Sequence, residues 1–433
     1  MEVVRINKLC GPSKCPYIMS TKPMISLRPH ELRGVDAMSK HNKGQLIKPT
    51  GAGKTLTMIA DALKEFAKET PQTIVVVAPR ILLSEQLSSE FLEFIVDAAV
   101  LHVHSGETTH FSTTKPLDIR NWVDTHNSRH KLVFTTYNSL QRLVDAEIDV
   151  DTIYFDEAHN SVKRNFFPAT EYFSANANRC YFMTATRKTS LTPTKPGMND
   201  SEVYGEIICR VSAPELVAGG YIVPPKVFTH PSKTTDECGG CSYERDKHNI
   251  IDIINTYGMD KVLIVSKKTK DIIGLTTHTD FQLQMEQMGY EVLHISSKFG
   301  AFINNQKVNR EVFFDTLNAY GKDVNKKFVV LHFDILAEGL NISCLNGIVF
   351  QRSTDYIKIL QTVGRAIRLD PRDSKGMREG TITPGAVNTY NKKFGLVVTP
   401  VFDKVGISTA KKIEVCLDTV FSKGDMLDSV VRS

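Results

Sequence analysis

The chain has 433 residues, 41% of them hydrophobic and 23% charged, with Lys+Arg 53 against Asp+Glu 48 and a formal net charge of +5. That length is long for a single core and suits two domains, and the composition is that of a globular protein rather than a fibrous or disordered one. No stretch approaches the ~20 apolar residues of a membrane span, and the start Met1-Glu2-Val3-Val4-Arg5-Ile6 lacks the apolar core of a signal peptide, so a soluble intracellular protein with no membrane partner is expected. The mild positive balance permits a phosphate-backbone partner without demanding one.

Residues 1–26 are weakly patterned and read as an N-terminal extension. A helix is predicted over Glu31 to Lys40, then a short strand, Gln45-Leu46-Ile47, leading into Lys48-Pro49-Thr50-Gly51-Ala52-Gly53-Lys54-Thr55 and a segment of helical periodicity. Thr73-Ile74-Val75-Val76-Val77-Ala78, bounded by Pro71 and Pro79, reads as a strand buried on both faces, as in a parallel sheet. Further short strands are predicted at Val100–Val103, Lys131–Thr135, Thr152–Phe155 and Cys180–Thr184. Strands alternating with helices point to βαβ units and a doubly wound sheet. Between Val223 and Lys247 the texture turns polar and rich in Pro and Gly, which places a linker at 224–247 after a first domain at 27–223. The strand–helix pattern restarts in a second α/β domain, 248–433. Its strands are expected at Val262–Val265, Glu291–Ile295, Lys327–Leu331, Gly347–Phe350 and Leu396–Val401, with a loop-rich tail after Asp370.

Three stretches carry chemistry. In the glycine-rich loop, Gly51 and Gly53 let backbone N–H groups approach phosphates, and the following helix N-terminus adds partial positive charge. Lys54 supplies a full charge, and Thr55 a hydroxyl for Mg²⁺. Asp156-Glu157-Ala158-His159 follows a strand, where Asp156 can hold Mg²⁺ through water and Glu157 can act as a general base on the attacking water. In Gln361-Thr362-Val363-Gly364-Arg365-Ala366-Ile367-Arg368, the two arginines three apart are expected on one side of a helix, either solvated or aimed at a γ-phosphate. Among eight cysteines, Cys238-Gly239-Gly240-Cys241 has knuckle-like spacing, and Cys10 with Cys15 could complete four zinc ligands if the segments met. A turn carrying two free thiols is the alternative.

In their order and placement these motifs resemble those of superfamily 2 helicases of the DEAD/DEAH type. The resemblance runs from about Leu27 to Arg368 and is nearest to the compact helicases of phages and large DNA viruses, to UvsW, and to the XPB and restriction-motor group. Lys48–Thr55 resembles motif I, Ala78-Pro79-Arg80 motif Ia and Thr135-Thr136-Tyr137 motif Ib. Asp156–His159 resembles motif II, and Thr184-Ala185-Thr186 motif III. Val265-Ser266-Lys267 resembles motif IV, Glu338-Gly339-Leu340-Asn341 motif V and Gln361–Arg368 motif VI.

The resemblance implies two RecA-like doubly wound parallel-sheet domains in tandem, with an ATP cleft between them. It also implies an ATP-dependent motor, working with Mg²⁺ as a monomer, on DNA more than RNA. By it, Gly51, Ala52, Gly53, Lys54, Thr55, Arg28, Glu31 and Gly339 would bind ATP, while Gln361, Arg365 and Arg368 would organise the site and act as arginine fingers. Pro79, Arg80, Thr135, Thr136, Ser266 and Lys267 would touch the polymer backbone; His159, Thr184 and Thr186 would couple it to the nucleotide. Four positions depart from the pattern. Lys48 replaces the first loop glycine, and Glu31 stands where the adenine-reading motif has glutamine; a carboxylate there accepts from the adenine N6 amine but cannot donate to N7. Phe333 stands for a threonine and Asn341 for an aspartate. The alternative is a nucleic-acid-binding scaffold whose ATPase has decayed, and the intact Lys54, Asp156, Glu157, Arg365 and Arg368 count against it.

Overall fold

The computed structural model describes residues 25–106, 108–192, 194–333 and 344–431. Two compact units emerge, the first carried mainly by residues up to Arg210 and the second by Val211–Ser429.

The first unit is built on seven strands: β1 (Lys43–Ile47), β2 (Thr73–Ala78), β3 (Ala99–Val103), β4 (Lys131–Thr136), β5 (Thr152–Phe155), β6 (Arg179–Thr184) and β7 (Ile207–Arg210). Their order is β3-β4-β2-β5-β6-β1-β7, and every pairing is parallel. Parallel strands covered on both faces need continuous apolar runs. Ile74 to Ala78 supply one, each no more than 1% exposed. Helices α1 (Pro29–Lys40), α2 (Lys54–Glu65) and α3 (Ile81–Leu92) are joined to these strands by short turns. Because β5, β6 and β1 are neighbours, the loops that leave their C-terminal ends fall side by side: Ile47 is in register with Thr184, and Phe155 with Phe182. That edge is where open α/β sheets hold ligands.

The second unit has eight strands: β8 (Pro225–Pro231), β9 (Lys261–Val265), β10 (Tyr290–Ser296), β11 (Gly300–Ile303), β12 (Gln306–Val308), β13 (Lys327–His332), β14 (Gly347–Phe350) and β15 (Gly395–Val401). They lie in the order β12-β11-β10-β13-β9-β14-β15-β8, parallel except for the β10-β11-β12 meander. Its helices include α4 (Ser242–Tyr257), α5 (Tyr356–Ala366), α6 (Pro371–Arg378) and α7 (Ile407–Leu417).

Three stretches differ from the sequence expectation. The segment 224–247 contributes strand β8 and the first turns of α4. β8 is an edge strand with Pro225 and Pro231 at its ends, positions where a residue lacking an N–H is tolerated in a sheet. The tail after Asp370 contains helices α6 and α7 besides the expected strand β15. The β11–β12 hairpin escaped the reading because its turn, Asn304-Asn305, reaches positive φ (46° and 62°) with asparagine instead of glycine.

One carboxylate holds the tail's fold together. Asp373, fully buried on α6, accepts from the Asn391 N–H (2.8 Å), the Asn391 Nδ2 (2.7 Å) and the Lys392 N–H (3.1 Å). Asp373→Ala leaves the buried Lys392 N–H and two donors of the exposed Asn391 without their acceptor, so a loss of about 1–3 kcal/mol in urea unfolding is expected. A loss below about 0.5 kcal/mol would show that the tail is held by its apolar contacts instead.

Candidate functional site

The loop between β1 and α2 makes its turns at two glycines with positive φ, Gly51 at 87° and Gly53 at 67°. At Gly53 nothing larger fits: a Cβ would come within 1.9 Å of the Glu31 Oε1. Gly53 caps α2, and its carbonyl takes the Thr57 N–H at 3.0 Å, so Lys54 and Thr55 occupy the first turn with their N–H groups open. Such an N-terminus attracts anions.

On β5, two strands away, the chain turns sharply after Phe155. The Asp156 N–H donates to the Val77 carbonyl (2.9 Å), and its own carbonyl accepts from the Tyr137 hydroxyl (2.9 Å). Glu157 then enters the left-handed region (φ 46°, ψ 53°), a strained conformation for a residue with a side chain. The turn aims its carboxylate at the loop, with Oε1 3.6 Å from the Lys54 Nζ. Burial, and then the charge of Glu157, push Asp156 up to about 7. A buried carboxylate beside a second carboxylate favours a cation, and with the Thr55 hydroxyl the donor set is hard oxygen, which fits Mg²⁺.

His159 ties this turn to the end of β6. Its Nδ1 lies 3.0 Å from the Thr184 Oγ1, whose hydrogen goes to the Thr186 carbonyl (2.9 Å), so Nδ1 is the donor. Nε2 then accepts from the Asn160 Nδ2 at 3.3 Å. The same Nδ1 is 3.5 Å from the Glu157 Oε2, placing one imidazole between the acidic turn and the Thr184–Thr186 segment. Tyr137 and Asn160 escaped the sequence reading as parts of this network, although Tyr137 sits in the quoted Thr135-Thr136-Tyr137.

At the adenine-reading position, Glu31 is fully buried on α1. Its Oε2 accepts from the Arg28 N–H (2.8 Å). Burial raises its pKa, with Arg28 and Lys48 pulling the other way.

In the second unit Gln361 and Arg365 are buried on α5. Arg368 does not continue that helix, which corrects the expectation of two arginines on one helical face. The helix ends at Ala366, and the carbonyls beyond it pair outside the helix: Ile367 accepts from the Val223 N–H (2.8 Å), and Arg368 from the Lys392 Nζ (2.7 Å). Arg368 forms an antiparallel bridge with Ile222 instead. Gly339 and Asn341 lie outside the described residues.

Residues 24–189 match the family model of the type III restriction enzyme res subunit. No curated protein matches the sequence. Among solved structures, the chain is similar to the ATP-dependent Type ISP restriction-modification enzyme LlaBIII bound to DNA, at 16% identity and a TM-score of 0.68 over 94% of this chain and 32% of that one. A nuclease-deletion mutant of the Type ISP enzyme LlaGI with a DNA substrate mimic gives 18% and 0.63, over 92% and 29%. The Mycobacterium smegmatis helicase Lhr bound to ssDNA and AMP-PNP gives 16% and 0.57, over 94% and 49%. The chain thus spans between about a third and a half of those proteins. Both units have the RecA-like fold.

The positions expected to meet the polymer fall in two groups. Arg80 is exposed at the start of α3, beside buried Pro79. Thr135, in register with Val77 on the neighbouring strand, is fully buried and donates to the Val103 carbonyl (3.0 Å). Its hydroxyl serves the sheet in this conformation and does not face outward, and Thr136 is 3% exposed. Ser266 is likewise buried, whereas Lys267 is partly exposed and pairs with Asp246 at 3.3 Å.

Cys238 and Cys241 are free cysteines in a turn before α4, with Gly239 and Gly240 both at positive φ. Among the described residues no cluster of three or more His, Cys, Asp or Glu side chains could hold a metal ion, and Cys10 and Cys15 lie outside them. No described helix is long and apolar enough to cross a membrane.

Proposed function

We propose that the chain hydrolyses ATP and couples the reaction to movement along nucleic acid, DNA in preference to RNA. The reading rests on one observation above others: Lys54 at the mouth of the glycine loop lies 3.6 Å from Glu157, with Asp156 buried beside it. A lysine for phosphate, a carboxylate for water and a buried carboxylate for a cation are the minimum set for phosphoanhydride hydrolysis. Mg²⁺ bound there would neutralise charge on the β- and γ-phosphates. Lys54 would leave Glu157 for the phosphate, freeing that carboxylate to orient the water and accept its proton. The Glu157–His159–Thr184 chain would report the change to the end of β6. Arg365 and Arg368 would act on the transferred phosphoryl group, and Arg80 and Lys267 on the backbone of the polymer. The DNA-bound neighbours support DNA as the track.

The steady-state ATPase rate measured with no polymer, single-stranded DNA, forked DNA and RNA, at two salt concentrations, tests the proposal. Stimulation by DNA that weakens as salt rises is expected, because backbone contacts displace counterions. A rate near zero under all conditions would favour a scaffold with a decayed ATPase.

A further inference from the structure

The first glycine of the phosphate-loop pattern is Lys48 here, and the structure gives that lysine a partner on each side. It follows directly on β1, is fully buried, and its Nζ donates to the Thr57 Oγ1 on α2 at 2.7 Å. The Thr57 hydroxyl in turn donates to the Gly53 carbonyl at 3.0 Å. Ammonium, hydroxyl and carbonyl thus form a directed relay that ends on the glycine immediately before Lys54. On the other side Nζ lies 3.5 Å from the His30 carbonyl of α1. Room for it comes from Gly34, where a Cβ would stand 2.5 Å from Nζ. From the same helix, Glu31 packs its carboxyl against Gly53.

Burying a lysine is costly unless its donors are satisfied. Burial lowers the pKa of Lys48 to about 8, with Cys209 and Glu31 raising it and Lys54 and Arg33 lowering it further. A residue held at such a cost beneath the loop, and joined to the loop's backbone through the Thr57 hydroxyl, is placed to set geometry. We propose that Lys48 is a positioning residue: through the Thr57 hydroxyl it fixes the Gly53 carbonyl, and with it the turn that presents Gly53, Lys54 and Thr55 to phosphate. This deepens the reading of the loop as an ATP site and rests on it.

The test compares Lys48→Met, Thr57→Val, their double variant, Thr57→Ser and Lys54→Ala. It reads binding of a fluorescent ATP analogue without polymer, the split between KM and kcat, and thermal unfolding. Lys48→Met and Thr57→Val should each weaken nucleotide binding about tenfold, and the double variant should be no weaker than either, since both cut one relay. Thr57→Ser should restore binding. Native binding by folded Lys48→Met, or full additivity in the double variant, overturns the inference. If Lys48→Met fails to fold, Thr57→Val against Thr57→Ser decides: equal binding by the two overturns it. Weakened binding in Lys54→Ala alone would overturn the relay and leave the ATP site standing. Binding indifferent to Lys54→Ala would overturn both.

Discussion

Glu157→Gln is expected to retain ATP binding and to lower turnover at least ~100-fold, the usual cost of losing a positioned general base. Glutamine has the same shape, so the left-handed turn at 157 has no new steric reason to move. What changes is that the amide cannot accept the proton of the attacking water. Lys54 also loses the carboxylate 3.6 Å away, which removes a competitor for phosphate and should leave affinity equal or tighter. Lys54→Ala should behave in the opposite way, weakening binding first. Single-turnover hydrolysis together with nucleotide titration separates the two patterns. Turnover of Glu157→Gln within threefold of the parent would remove Glu157 from the role of base.

The parts of this site that could be read from sequence are those where one local segment dictates both conformation and chemistry. Gly51-Ala52-Gly53-Lys54-Thr55 announces its own turn and helix, and Thr152–Phe155 announces a strand with two acids at its end. Parallel, doubly covered strands such as Thr73–Ala78 were legible for the same reason. What escaped depends on partners distant in sequence. Nothing near Arg368 says that Lys392 will take its carbonyl. Nothing near Thr135 says that its hydroxyl will point to Val103 instead of outward. Lys48 looked like a defect in a motif because its partners, His30 and Thr57, come from two other elements. Strand β8 was hidden by its prolines, which its edge position tolerates.

Asp61→Ala should be the most damaging substitution outside the reacting groups, with an expected loss of about 3–5 kcal/mol. Asp61 is 1% exposed on α2. It accepts from the Tyr154 hydroxyl of β5 (2.6 Å) and from both terminal nitrogens of Arg179 at the start of β6 (3.0 and 2.8 Å). Arg179 also pairs with Glu65 one turn further along α2 (2.9 Å) and donates to the Met38 carbonyl at 3.0 Å. Removing the carboxylate therefore leaves a buried guanidinium short of one acceptor and a buried phenol with none, the asymmetry that makes breaking such a pair far worse than never building it. Asp61→Asn keeps an acceptor oxygen and the volume, so about half that loss is expected. Against a typical domain stability of about 5–15 kcal/mol, urea titration should show the difference as a clear fall in midpoint with an unchanged slope. The consequence extends to the site, because α2 carries Lys54 and Thr55 while β5 and β6 carry Asp156 and Thr184. The Asp61–Tyr154–Arg179 cluster is the polar fastening between those three elements. Folded Asp61→Ala should therefore also bind nucleotide more weakly than Asp373→Ala, which loosens the other unit. Equal nucleotide binding by the two would confine Asp61 to stability alone.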